Sequence, residues 1–166
     1  MPMNDEDYMR FALAQAQNAL DANEVPIGAI VVYNPLDKET RRPLLDEPCI
    51  ISRAFNLRET TQDPAGHAEF LALKAAAKEL GAWRLTGCTV YVTLEPCIMC
   101  AGLMHQARID RCVYGARDLK AGALGTLYSI HNDERLNHNF DVRAGVLEDE
   151  CKQILQEFFA KKRKKQ

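Results

Sequence analysis

The sequence predicts an α/β fold, five strands interleaved with helices that largely cover the sheet. Three features lead there. Short runs rich in β-branched and aromatic residues alternate with stretches whose apolar residues recur at helical spacing. The run IGAIVVY at 27–33 is almost continuously apolar, the pattern of a strand buried on both faces. No internal repeat and no long linker interrupts the alternation, so the 166 residues are expected to form a single domain.

Element by element, Asn4 can cap an opening helix with acidic residues in its first turn. Tyr8, Phe11, Leu13, Ala16 and Leu20 give that helix an apolar face to about residue 22. IGAIVVY is the first strand. Residues 34–48, NPLDKETRRPLLDEP, hold three prolines among many charges and read as a protruding surface loop. CIISRAF at 49–55 returns as a second strand, antiparallel to the first. Asp63-Pro64-Ala65-Gly66 breaks the chain before a helix from His67 to Leu80. CTVYVTL at 88–94 is the strongest strand signal, after which Glu95-Pro96 turns into a short helix through about Gln106. RCVYGA at 111–116 is another buried strand, and 117–139 carry little periodicity, as a functional or connecting segment would. DVRAGV at 141–146 is the last strand. Leu147, Cys151, Ile154, Leu155 and Phe158 then stripe a final amphipathic helix.

Composition narrows the function. With 47% hydrophobic and 27% charged residues, the chain is neither disordered, collagen-like nor a coiled coil. No uncharged apolar run reaches the roughly 18 residues of a membrane span. The acidic start, MPMNDEDYMR, has no secretory apolar stretch, so a cytoplasmic location is expected. The net charge of −2 hides a segregation: residues 161–165 read KKRKK, and without them 16 basic residues face 23 acidic ones. A basic tail on an acidic body suits either a local contact with a polyanion or a solvated end.

Of the six cysteines, Cys88 and Cys112 sit in apolar strand runs and read as buried thiols. Cys151 falls in a helical pattern and Cys49 at a loop or strand start, and a cytoplasmic chain argues against disulfides. Only Cys97 and Cys100 have metal-ligand spacing. Cys-x-x-Cys lets two sulfurs reach one tetrahedral ion, and Pro96 places both at a helix N-terminus, where the dipole favours thiolate. His67 also opens a helix, so two helix starts can converge. One histidine and two cysteines, with no second pair to close the site, match a catalytic zinc that leaves a position for water. Glu69 follows His67 by two residues, about 200° around a helix, so it is not a ligand from the same face. In a first turn its carboxylate can lie beside the open position and shuttle a proton. A redox Cys-x-x-Cys is the competing reading, but it leaves His67 and Glu69 without a role. Glu69 could also be only a first-turn acid that the helix dipole favours.

His-x-Glu followed by Pro-Cys-x-x-Cys is the pattern of zinc-dependent nucleobase deaminases. The chain further resembles the bacterial tRNA adenosine deaminases in Glu24-Val25-Pro26-Ile27-Gly28, in residues 93–102 (TLEPCIMCAG) and in Gly115-Ala116-Arg117-Asp118-x-Lys120-x-Gly122-Ala123. Leu136-Asn137-His138 and Phe158-Phe159 before the basic tail extend the likeness over nearly the whole chain. The longer loop at 34–48 is the departure. The resemblance implies a three-layer α/β/α cytidine-deaminase-like fold with a central mixed five-stranded sheet. It implies conversion of adenosine to inosine at the wobble position of a tRNA anticodon, one zinc ion per chain held by His67, Cys97 and Cys100, and Glu69 as the catalytic proton carrier. By the same likeness Asn56 meets the flipped nucleoside, and Val25 and Pro26 are apolar pocket walls. Asp118 and Lys120 lie near the flanking anticodon-loop nucleotides, and Phe159 stacks on a base. A homodimer is implied, and Ile98, Met99, Ala101, Leu103 and Met104 offer the 97–106 helix as its contact. His105, His131 and His138 lack ligand spacing and read as hydrogen-bonded structural residues. A deaminase of free bases or nucleotides would use the same zinc core, and a catalytically idle RNA-binding scaffold would not need Glu69.

Overall fold

The computed structural model describes residues 2–165. Helix α1 (Asp5–Asp21) begins at Asn4, whose side chain accepts the Asp7 amide at 2.9 Å while Asp7 accepts the Asn4 amide at 2.9 Å. This reciprocal cap satisfies two donors that a helix start leaves free. Strands β1 (Gly28–Tyr33), β2 (Cys49–Phe55), β3 (Cys88–Leu94), β4 (Arg111–Ala116) and β5 (Asp141–Arg143) form one sheet in the order β2-β1-β3-β4-β5. β1 is antiparallel to both β2 and β3, whereas β3, β4 and β5 run parallel, so the sheet is mixed as expected.

Strand alternation sorts the core into two halves. Ile30, Val32, Tyr91 and Val113 pack with Tyr8, Met9 and Ala12 of α1 and Cys151 of α5 (Glu148–Lys164). Ala29, Val31, Val90, Val92, Cys112 and Tyr114 face the other way, against α3 (Ala68–Leu80) and α4 (Ile98–Ala107). Successive side chains on a strand point to opposite faces, so apolar runs without alternation demand helices on both sides. The result is three layers. Gly28 lets α1 lie directly on β1, because a Cβ there would come within 2.1 Å of the Ala12 carbonyl oxygen.

Several expectations change in detail. The last strand stops at Arg143 rather than Val146, because Gly145 (φ 82°) and Leu147 (φ 52°) adopt left-handed conformations that turn the chain into α5. The 34–48 loop contains an ordered hairpin: Leu36 pairs with Pro43, and Asp37 Oδ1 accepts the Glu39 and Thr40 amides. A four-residue helix, α2 (Arg58–Thr61), was not expected. The basic tail continues α5 to Lys164, since Lys and Arg are good helix formers and favour a helix C-terminus. No helix among the described residues is long and apolar enough to cross a membrane.

Asp5 ties the start of α1 to the sheet. Its carboxylate accepts Arg111 Nη1 and Nη2 at 2.9 and 2.6 Å, Tyr91 Oη at 2.7 Å and Arg143 Nη1 at 2.7 Å. The Arg111 guanidinium above all, with Tyr91 and Arg143, holds this carboxyl well below the usual carboxylate range. A pKa that is lower in the folded state contributes stability above the unfolded value of about 3.9, and that contribution fades as pH falls towards the folded value. Asp5→Asn is therefore expected to lower Tm at pH 7 by about 2 to 4 °C for each kcal/mol of stability lost. The difference from wild type should shrink steadily below pH 4, as thermal melts across pH 2–7 would show.

Candidate active site

At the C-terminal end of β3 the chain passes through Glu95 and Pro96 into α4, with Cys97 as its N-cap and Cys100 in its first turn. His67 is the N-cap of α3, which follows the break at Asp63–Gly66. The two helix starts converge as the spacing predicts, although Pro96 precedes the cap instead of occupying the first helical position. His67 Nδ1 lies 3.6 Å from Cys97 Sγ and 3.5 Å from Cys100 Sγ. All three donor atoms are within 4.8 Å of one another. A tetrahedral ion with bonds of about 2.3 Å to sulfur and 2.0–2.1 Å to nitrogen sets its N and S ligands roughly 3.5 Å apart, so this donor set fits one metal ion. Among the described residues no fourth His, Cys or carboxylate joins the group.

The electrostatics suit a cation. A hydrogen bond from Cys100, then one from His67, pulls the Cys97 thiol down to about 4, and the same sharing with burial pushes Cys100 far up. Cys97 also raises the pKa of His67, so the three donors form one proton-sharing cluster. A metal ion would displace these protons and turn both sulfurs into ligands. Burial above all, with Asp110 and Glu150 adding to it, pushes the thiols of Cys88 and Cys151 up to about 12; burial also pushes that of Cys112 well above its ordinary value, which leaves all three as packing groups. Glu69, in the first turn of α3, is only 4% exposed, and burial pushes its carboxyl up to about 7.

A cavity of about 240 Å³ opens over this centre, lined by His67, Cys97 and Glu69 together with Val25, Ile27, Asn56, Arg58, Leu94, Glu95, Asp118, Ala121 and Phe159. Asn56 is 5% exposed; its Oδ1 accepts the Arg58 amide and its Nδ2 donates to the Val25 carbonyl at 3.3 Å. One N–H and one lone pair of the amide remain for a ligand. Phe158 packs inward, whereas Phe159 is 41% exposed and faces the cavity.

Two of the expected pocket residues stand outside it. Pro26 is buried but does not line the cavity, because Val25 and Ile27 on either side point into it and an extended segment alternates. Lys120 is exposed: Asp118 Oδ1 accepts the Lys120 and Ala121 amides, and this turn sends the lysine to solvent. In the 97–106 helix, Ala101 and Met104 are buried against the sheet, which leaves Ile98 exposed and Met99 and Leu103 half-buried. His105 and His138 bond to the carbonyls of His138 and Ile109 as expected. His131 departs, with a buried Nδ1 that has no hydrogen-bond partner among the described residues, and burial lowers its pKa.

Sequence reasoning missed two buried acids. Glu24 accepts the Thr60 amide at 2.7 Å and the Glu59 amide at 3.3 Å, securing α2 and hence the Asn56–Arg58 wall. Glu95 holds the opposite wall. Each adjoins an apolar stretch, where a charge needs several partners, and that was the available signal.

Comparison with known proteins gives a consistent picture. A model of the MafB19-like deaminase family matches residues 3–163. A tRNA-specific adenosine deaminase of Bacillus subtilis (strain 168) is 47% identical over 161 residues, 97% of this chain and 92% of the relative. Its counterpart in Haemophilus influenzae is 42% identical over 96% of this chain and 85% of its own length. A solved structure from work on A-to-I editing by tRNA:A34 deaminases at the wobble position of transfer RNA superposes with a TM-score of 0.77 at 37% identity, covering 89% of this chain and 98% of that one.

Proposed function

The chain belongs to the MafB19-like deaminase family, and from that membership we propose that it converts adenosine to inosine at the wobble position of a tRNA anticodon. The observation that carries this reading is a buried carboxylate, Glu69, lining one cavity with His67 and Cys97, two of three convergent metal donors. His67, Cys97 and Cys100 would hold one zinc ion per chain, which when bound supplies Lewis-acid activation of water.

The reaction adds water at C6 of the adenine ring and expels the exocyclic nitrogen as ammonia, so protons must move from water to ring N1 and then to the leaving amine. Glu69 carries them: its carboxylate accepts the proton, and the resulting acid returns it. Burial keeps this carboxyl near neutrality, so both protonation states are accessible. The remaining N–H and lone pair of Asn56 hold the edge of an unstacked purine, and Val25, Ile27 and Leu94 form apolar walls around it. Phe159 offers a stacking face at the cavity mouth. Asp118 borders a flanking nucleotide, and Lys120, outside the cavity, serves the phosphate backbone. Ile98, Met99 and Leu103 are the apolar surface available to a second copy in a homodimer, and a cytoplasmic location suits a tRNA substrate.

Ammonia release from an anticodon stem-loop RNA, set against free adenosine, guanine and cytidine, tests the reading. Turnover of the RNA alone is expected, whereas faster turnover of a free base or nucleoside would favour a small-substrate deaminase. Lys161–Lys165 are expected to add phosphate contacts. Deleting residues 161–166 should weaken RNA binding and flatten its salt dependence by about one slope unit per lost contact, with a smaller change in turnover at saturating RNA. An unchanged salt slope would make the basic turn a solvated end.

A further inference from the structure

Glu95 lies one residue beyond β3 and two before Cys97, and it is 2% exposed. A buried carboxylate needs partners, and here they all come from a single loop. Its Oε1 accepts the Asp118 amide at 3.1 Å and the Thr126 hydroxyl; its Oε2 accepts the amides of Leu124 and Thr126, each at 3.1 Å. The loop closes around the carboxylate at contact distance. A Cβ on Gly122 would stand 2.4 Å from Glu95 Oε2, so glycine there permits the approach. The Ala123 amide adds a bond of 2.8 Å to the Pro96 carbonyl. The same loop supplies Asp118 and Ala121 to the cavity wall.

We propose that Glu95 is a positioning residue that sets how the 118–126 loop faces the target nucleotide, and so determines how tightly the cavity holds it. The inference rests on the deaminase reading above. Through residues 95–97, the short segment that carries a metal donor also anchors the loop that meets the substrate. Glu95 itself need not touch the reacting atoms. A wall that contacts the nucleotide equally before and during reaction contributes uniform binding, so disturbing it acts on KM more than on kcat. Glutamine is not a substitute, because its amide turns one acceptor oxygen into a donor that faces N–H or O–H donors.

The test uses the full, zinc-loaded chain and anticodon stem-loop RNA. Glu95→Gln is expected to raise KM about tenfold or more, with kcat falling by less than KM rises. Metal content should stay at that of the wild type, and the amides of Asp118, Leu124 and Thr126 should exchange faster with deuterated solvent. Thr126→Val, which removes one bond from the loop side and leaves the carboxylate, should raise KM about threefold. Combining the two should cost less than the product of their effects, because both act on one cluster. An unchanged KM in folded Glu95→Gln, or a fall in kcat at constant KM, would overturn the proposal, as would loss of the metal. If Glu95→Gln does not fold, an unchanged KM and unchanged loop exchange in Thr126→Val would overturn it. A wild type that forms no inosine would instead sink the functional reading; the exchange measurement would still decide whether Glu95 holds the loop.

Discussion

Glu69→Gln is expected to lower inosine formation at saturating RNA by about 10²- to 10⁴-fold while leaving the fold and the metal in place. The side chain is 4% exposed at the first turn of α3, and glutamine has the same shape, so no void or clash follows. What disappears is a group that can accept a proton and give it back. Burial brings the Glu69 carboxyl to about 7, where both forms are within reach, and an amide has no such equilibrium. The donor set of His67, Cys97 and Cys100 does not include Glu69, so elemental analysis should find zinc undiminished. RNA affinity should hold as well, since glutamine keeps the shape of this part of the lining and the other walls of the cavity are untouched. A variant that keeps a tenth or more of wild-type turnover would show that the proton travels by another route.

Replacing a sulfur donor should have an effect as large, by a different path. Cys97→Ser and Cys100→Ser are each expected to release zinc and to bring inosine formation to background. Three protein donors hold the ion, a hydroxyl is a far poorer ligand than a thiolate, and metal affinity depends on deprotonated ligands. Cys100 should also cost stability, because it is fully buried and its thiol bonds with His67 and Cys97. Metal analysis after gel filtration, alongside melting curves with and without added zinc, would check both variants. Full zinc occupancy in either one would place the ion elsewhere.

The metal donors were legible because their geometry is local. Pro96-Cys97-Ile98-Met99-Cys100 begins a helix by its own composition, and a separation of three residues returns both sulfurs to one face of its first turn. His67 follows a break in the chain that ends in Gly66, again a local signal for a helix start. Strand runs without alternation likewise announced helices on both faces of the sheet, as the division of the core between Ile30 or Val32 and Ala29 or Val31 bears out. The end of β5 was harder to place, because a positive φ at Leu147 has no signature in a side chain that rarely adopts one.

Legible in the sequence were the five strands and the longer helices, the layered α/β fold and the three donors beside a carboxylate, since helix starts, strand runs and Cys-x-x-Cys spacing act over a few residues. The shape of the cavity came instead from long-range packing. Glu24 reaches α2 across 36 positions to Thr60, and Glu95 reaches Thr126 across 31. Pro26 leaves the wall and Ile27 enters it through the direction of one extended segment. A buried carboxylate must find several donors, and which distant loop supplies them depends on how the whole chain packs, a long-range choice that no local pattern encodes.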